Sequence, residues 1–306
     1  MLDYPAVARH YPMKTSLLCS LLLGSSSLLA NELQLQLQLG LEHSDNLSIL
    51  ETETISERSD LARRLSAELS YYWQPSSAVT VDAMYQYSQL HYQQLNDYNL
   101  TLHSGFFDAS YAYQQWTFGF TPAYSKAWLA GEDFLTQSQA GFYLARLVGT
   151  QSYLRASLML SDKKLADLPE RSARPVQLSA DWYWFLSQRR FVQLQLQTGR
   201  ERANNSVYDY RLIGSRLRYS ERFSWLERQH RWQITGRAQY RPYRGELTEL
   251  ASARRDQHYG ISAELCIGLW QQLSLVSQLD MARYRSNLDS ANYRETRAAL
   301  LLQASF

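Results

Sequence analysis

Between Leu33 and Leu41 the chain reads LQLQLQLGL, in which Leu33, Leu35, Leu37, Leu39 and Leu41 are separated by Gln34, Gln36, Gln38 and Gly40. A helix would smear these leucines around all its sides, whereas a strand sorts them onto one face. The stretch is therefore a strand with one apolar and one polar face. The same period returns outward along the chain, in Leu65/Ala67/Leu69/Tyr71/Trp73, Val79/Val81/Ala83/Tyr85, Trp116/Phe118/Phe120/Pro122/Tyr124 and Val176/Leu178/Ala180/Trp182/Trp184. It continues in Val192/Leu194/Leu196, Trp232/Ile234/Gly236/Ala238/Tyr240, Tyr259/Ile261/Ala263/Leu265/Ile267 and Ala298/Leu300/Leu302/Ala304/Phe306. Weaker alternation fits strands around 100–113, 138–148, 152–161, 208–220 and 273–285, where bulges are expected. The pattern predicts about fourteen strands with no linker and no second domain among them.

Composition narrows the function classes. The 306 residues are 45% hydrophobic and 13% aromatic, too rich in large apolar side chains for a disordered chain. Two cysteines cannot make a disulfide scaffold, and no His or Cys pair has ligand spacing, so no metal or cofactor is expected. A formal charge of +2 gives no electrostatic case for nucleic acid. The long uncharged apolar run lies near the N-terminus, where MKTSLLCSLLLGSSSLLA runs from Met13 to Ala30. One lysine, an apolar stretch and a small residue before polar sequence predict a signal peptide over 1–30, cleaved after Ala30. The run is shorter than the ~20 residues with which a helix spans a bilayer. Residues 1–12 do not resemble the start of such a segment, which makes Met13 a candidate start. Cys19 would leave with the signal, so that only Cys266 stays in a mature domain of 31–306.

Alternation alone fits both a soluble sandwich and a membrane barrel, because both sort apolar from polar residues. The connections separate them. Every second connection is short: Pro75-Ser76-Ser77, Gln114-Gln115, 149–151, 187–190 and 269–272, with a longer one expected at 221–230. The intervening ones are longer and more charged, notably 44–60, 162–175 and 241–257. Short turns at one end, long loops at the other and an even strand count are the outer-membrane pattern, with both termini in the periplasm. Tyr71, Tyr72, Trp73, Tyr113, Trp116, Trp182, Trp184, Phe185 and Trp270 crowd the short-turn ends, where amphipathic rings sit at headgroup level. The expected fold is an all-β, transmembrane, antiparallel up-and-down barrel in the outer membrane, against outer-membrane lipid and lipopolysaccharide. A last strand ending on Phe306 is a candidate signal for the barrel assembly machinery.

Arg254-Arg255-Asp256 enters a strand, Tyr284 and Ser286-Asn287 leave the next, and Tyr293 enters a last strand ending on Phe306. With GLEHSDNL at 40–47, which holds Asp45 and Asn46, and with Tyr208-Asp209-Tyr210, this order resembles the C-terminal barrel domain of surface lipoprotein assembly modifiers. The resemblance implies an outer-membrane barrel and a role in exporting lipoproteins. The family carries a periplasmic helical-repeat domain ahead of its barrel, which is not expected here because the first strand follows Ala30 so closely.

Parity assigns the interior. Barrels of about eight strands are filled by side chains and those of about sixteen leave an aqueous channel, so fourteen should leave a lumen of intermediate width. Glu68 and Asp82 are expected to point inward from the second and third strands, Arg216 and Arg218 from the tenth, and Arg231, Arg237 and Arg241 from the eleventh. That predicts an acidic wall facing a basic one, with loop 241–257 as the leading constriction and Leu194 turned to hydrocarbon. His258, Ser262 and His103 are the nearest approach to a hydrolase, but no nucleophile elbow or paired carboxylates accompany them, so catalysis is not expected. The leading function is a passive or selective pore for small polar solutes. The alternative is a barrel that assists export or surface display of a protein partner.

Overall fold

The computed structural model describes residues 30–49, 51–52, 54–245 and 252–306. The expected signal segment, with Met13 and Cys19, lies outside the described residues. Six strands make the first part of the chain: β1 (Ala30–Ser44), β2 (Asp60–Gln74), β3 (Val79–Tyr92), β4 (Leu100–Tyr113), β5 (Trp116–Leu129) and β6 (Glu132–Val148). Then follow β7 (Ser152–Leu165), β8 (Val176–Ser187), β9 (Arg190–Glu201), β10 (Tyr210–Trp225) and β11 (Arg228–Pro242). The last three are β12 (Arg255–Gly268), β13 (Leu273–Ser286) and β14 (Tyr293–Ser305). Each pairs antiparallel with its sequence neighbours, and β1 closes the ring by pairing with both β2 and β14. The result is a closed barrel of fourteen strands with no free edge. Closure matters because an unpaired backbone group in hydrocarbon costs several kcal/mol, and a ring leaves none.

The faces sort as the alternation requires. Leu33 and Leu39 are 64% and 61% exposed, while Gln38, Glu42 and Ser44 on the opposite face of β1 are buried. Phe118, Leu178, Leu196, Ile213, Leu217, Ile261 and Leu300 continue the exposed apolar surface around the ring. A soluble protein would bury this face; here water-compatible side chains fill the inside and the apolar ones form an outer band, as in a barrel set in hydrocarbon.

Several local expectations need correction. The connection read at 221–230 is a two-residue turn, Leu226-Glu227, between extended β10 and β11. Both residues have positive φ, 49° and 60°. Such hairpins usually announce themselves by Asn-Gly or Asp-Gly, and Leu-Glu gives no such signal. At the long-loop end, β5 and β6 are also joined by two residues, Ala130 (φ 52°) and Gly131 (φ 91°), the second in a region glycine enters without steric cost. A bulge between Ala127 and Trp128 shifts their pairing. Beyond it Phe134 and Leu135 are both buried, which broke the alternation over that stretch. Two rings assigned to the headgroup belt also turn inward: Tyr72 is 5% exposed, and Phe185 stacks with Tyr183 on the inner face of β8.

Candidate functional site

The interior begins at its mouth, where the described residues between 45 and 59 fold across the opening instead of standing outside it. Ser48–Ile49 and Thr54–Ile55 pair as a small hairpin. Its base is fixed to β14: Asp45 donates its backbone N–H to the Thr296 carbonyl and accepts the Thr296 N–H on its carboxylate at 2.6 Å. Asn46 donates to the Arg294 carbonyl and accepts the Glu57 N–H, and Ser48 donates to Glu295. Leu47, 2% exposed, packs with Ala62 and Tyr92 of β2 and β3. Ile49 reaches a second apolar cluster of Leu102, Ala127, Phe134, Leu135 and Leu165, contributed by β4 to β7. Beyond it Arg171, in the β7–β8 connection, donates to the Glu51 carbonyl at 2.9 Å. The hairpin thus runs from β1 to the far side of the ring. Residues 246–251 of the expected constriction 241–257 lie outside the described residues; among the described ones, 45–59 narrows the mouth.

Below the hairpin Glu68 alternates in step with buried Ser66 and Tyr72, Asp82 with Gln86, Arg216 and Arg218 with Tyr210 and Ser220, and Arg231 and Arg237 with Thr235, Gln239 and Arg241. Arg216 stands directly opposite Arg237, and Arg222 opposite Arg231, across the β10–β11 ladder. Like charges facing each other in a ladder are unfavourable, so the arrangement needs counter-charge. Part of it comes from the same wall: Arg237 makes two hydrogen bonds to Asp280, at 2.8 and 2.9 Å, and Arg231 one to Glu264 at 2.7 Å. The expected all-basic wall is therefore partly neutralised by β12 and β13, which sequence parity did not bring together with β11. Glu264 also accepts from Gln278, which accepts from Arg64, itself paired with Glu42 at 3.0 Å. A continuous polar network thus lines β11 to β2 on the inner face. With Arg218 the wall still holds five arginines against two carboxylates, and the excess is positive. Arg241 is buried nearer the mouth, donates to Gln239 and lies over Tyr210.

The acidic side is spread more widely. Glu68 lies opposite Gln36 and Gln86, and Asp82 opposite Tyr72 and Asp108. Asp108 accepts from Tyr143 at 2.9 Å, and Asp181 from Gln193 and Gln195. Arg155 stacks over Tyr143 at 3.7 Å between these carboxylates. At the short-turn end Tyr153, Tyr183, Phe185 and Phe191 make an inward aromatic group. Sequence reading missed this group, although odd-numbered parity along β8 carried the signal.

The motif residues quoted for the family resemblance act as fasteners at the long-loop end. Besides Asp45 and Asn46, Asp209 accepts the Ala203 N–H, and Tyr210 donates to Glu201, which pairs with buried Lys163. Arg254 grips Asp256 through two hydrogen bonds, with both residues buried, and Asn287 accepts the Arg255 N–H. His258 is buried edge-on to Tyr284, while His103 sits outside, among Tyr85, Tyr87 and Trp128. The two histidines are thus on opposite faces of the wall. No group of three or more metal-ligating side chains occurs among the described residues. Phe306 is exposed and exchanges backbone hydrogen bonds with Leu35.

Neither protein-family models nor curated protein sequences give a match to the chain. Solved structures do. The outer membrane channel DcaP of Acinetobacter baumannii superposes with a TM-score of 0.51 at 9% identity, over 93% of this chain and 99% of that one. OmpT, an outer membrane protein of Vibrio cholerae, gives 0.50 at 5% identity, over 92% and 99%. These likenesses show the fold: the chain is a closed β-barrel of the outer-membrane kind.

Proposed function

We propose that the protein is an outer-membrane pore for small polar solutes that favours anions and zwitterions over cations. In this reading the short turns and both termini face the periplasm and the hairpin 45–59 faces outside. The observation that carries it is the pair of opposed arginine couples, Arg216 with Arg237 and Arg222 with Arg231, inside a closed fourteen-strand ring. Two carboxylates answer those arginines on their own wall, and Asp82, Asp108 and Asp181 lie on other strands. A solute crossing between them meets a transverse field in a space poorer in water than bulk, which orders dipolar solutes and rejects apolar ones. The channel named among the similar folds agrees with this reading. Nothing in it requires catalysis.

The test is planar-bilayer recording of the refolded protein. The expected result is conductance without a partner, with a reversal potential on the anion side in a salt gradient. A folded barrel that does not conduct would favour the second reading, a barrel assisting export of a lipoprotein or other partner, which rests on the sequence resemblance. Against that reading, the motif residues that carry the resemblance, Asp45, Asn46, Asp209, Asp256 and Asn287, are engaged in fastening loops to the barrel.

A further inference from the structure

The outer wall carries a feature that a pore does not use. Down the outward face of β13 the side chains run Arg285, Arg283, Met281, Leu279, and down β14 they run Arg294, Thr296, Ala298, Leu300. The change from basic to apolar marks the edge of the hydrocarbon at the long-loop end. At that edge Arg283 stands directly opposite Arg294 in the ladder, with Arg285 beside them. Arg285 and Arg294 are exposed, Arg283 half-buried, and the three guanidinium groups repel one another. Among the described residues no carboxylate forms an ion pair with any of them. Three mutually repelling cations at a membrane surface lower their energy by sharing an anion, and planar guanidinium groups suit phosphate oxygens through paired N–H donors.

Arg283 is also the rim of a groove of about 590 Å³ in the same outer face. The floor is made by side chains that are small or missing, Ser215, Gly236 and Ala238, and the walls include Leu217 and Ile261. A Cβ built on Gly236 meets nothing within 4 Å, so the depression is open above the backbone. The volume falls within the ~300–1,000 Å³ of small-ligand sites, and the lining is mostly apolar.

We infer that this face holds a phosphorylated, multiply acylated lipid of the lipid A type, with a phosphate on Arg283, Arg285 and Arg294 and an acyl chain lying in the groove. Charge complementarity decides against a second copy of the chain as the occupant, since its own arginines would be brought toward these. The inference rests on the membrane location proposed above, not on pore activity. It is tested by native mass spectrometry of the refolded full barrel titrated with bis-phosphorylated hexa-acyl lipid A. The wild type should bind it, dephosphorylated lipid A should bind at least about tenfold more weakly, and inorganic phosphate should not compete. Arg283→Gln with Arg294→Gln should lose affinity by at least a similar factor, because both changes remove guanidinium donors from the phosphate. Gly236→Leu should weaken lipid A binding while the arginines are intact. A heat-dependent gel shift identifies the samples that are folded, and only these are scored. Equal lipid A binding by the wild type and both variants would overturn the inference, and so would a dimer that Gly236→Leu dissociates with lipid binding unchanged.

Discussion

Arg237 is the residue whose role changed most between pattern and structure. Its inward parity follows from alternation with Ile234, Gly236 and Ala238, but its salt bridge to Asp280 joins β11 to β13 across an intervening strand. That makes Asp280 a control on selectivity. Asp280→Asn should leave the barrel folded and move the reversal potential further toward anions, since Arg237 loses its neutralising partner while Arg216 still faces it. Arg216→Glu with Arg222→Glu should move it the other way, toward cations, because each new carboxylate lies opposite an arginine and adds an inner negative charge. Recording both in the same salt gradient checks the sign. If neither shifts the potential, the wall is screened and does not select. The contrasting change is Leu194→Arg on the outward face, which should cost about 2–4 kcal/mol near the bilayer midplane and reduce insertion.

At the scale of elements, the hairpin 45–59 is the part that narrows the path. Its anchors are distributed: Asp45 and Asn46 on β14, Leu47 on β2 and β3, Ile49 on the cluster from β4 to β7, and Arg171 at the far side. Replacing 48–55 by a short glycine-serine link should raise single-channel conductance severalfold and blunt selectivity, with the strands unchanged by circular dichroism. A smaller change, Ile49→Asp, should make the open level noisier, because a carboxylate among Leu102, Phe134, Leu135 and Leu165 cannot stay buried unpaired. Identical traces for wild type and deletion would mean that the hairpin lies clear of the conducting path. The extended β5–β6 pair shows why element bounds were hard to read. Lys126 pairs with Asp133 at 3.0 Å on an outward surface above the apolar band, where the strands go on but the apolar alternation no longer has to.

For the whole molecule, closure is the property with a direct readout. A ring in which β1 pairs with β14 from Gln36↔Ser305 to Ser44↔Arg297 has no end from which to unzip. The unheated protein should therefore migrate faster in a detergent gel than the boiled one, and fractionate with outer membrane. A soluble periplasmic fraction without a heat shift would refute the membrane reading. Phe306 belongs to this scale because it completes the seam with Leu35 and continues the exposed row of Leu300 and Leu302. Its deletion should lower barrel yield in cells through poorer recognition by the assembly machinery, while the purified chain still refolds in detergent. Equal cellular yields would remove that role.

Alternation of apolar with polar residues, repeated in segment after segment, determined about how many strands there are and which face of each is apolar, and the alternation of short turns with long loops singled out a barrel over a sandwich. The reason is that strand side chains alternate whatever the neighbours are, and hydrocarbon admits only one of the two faces. The same rule is the ground on which Glu68, Asp82, Arg216, Arg218, Arg231, Arg237 and Arg241 are expected to point inward. Only the tertiary structure decided what those charges meet. Asp280 reaches Arg237, Glu264 reaches Arg231, and Ile49 reaches Phe134 and Leu165, because setting β11, β12 and β13 side by side and folding a loop inward bring together residues far apart in the chain. The two-residue turns at Leu226-Glu227 and Ala130-Gly131 were hidden for a local reason: register across the hairpin, rather than the turn residues' own preference, holds Leu226, Glu227 and Ala130 at positive φ. Alternation fixes a face from the backbone alone, whereas a contact needs two strands to find their places in the ring.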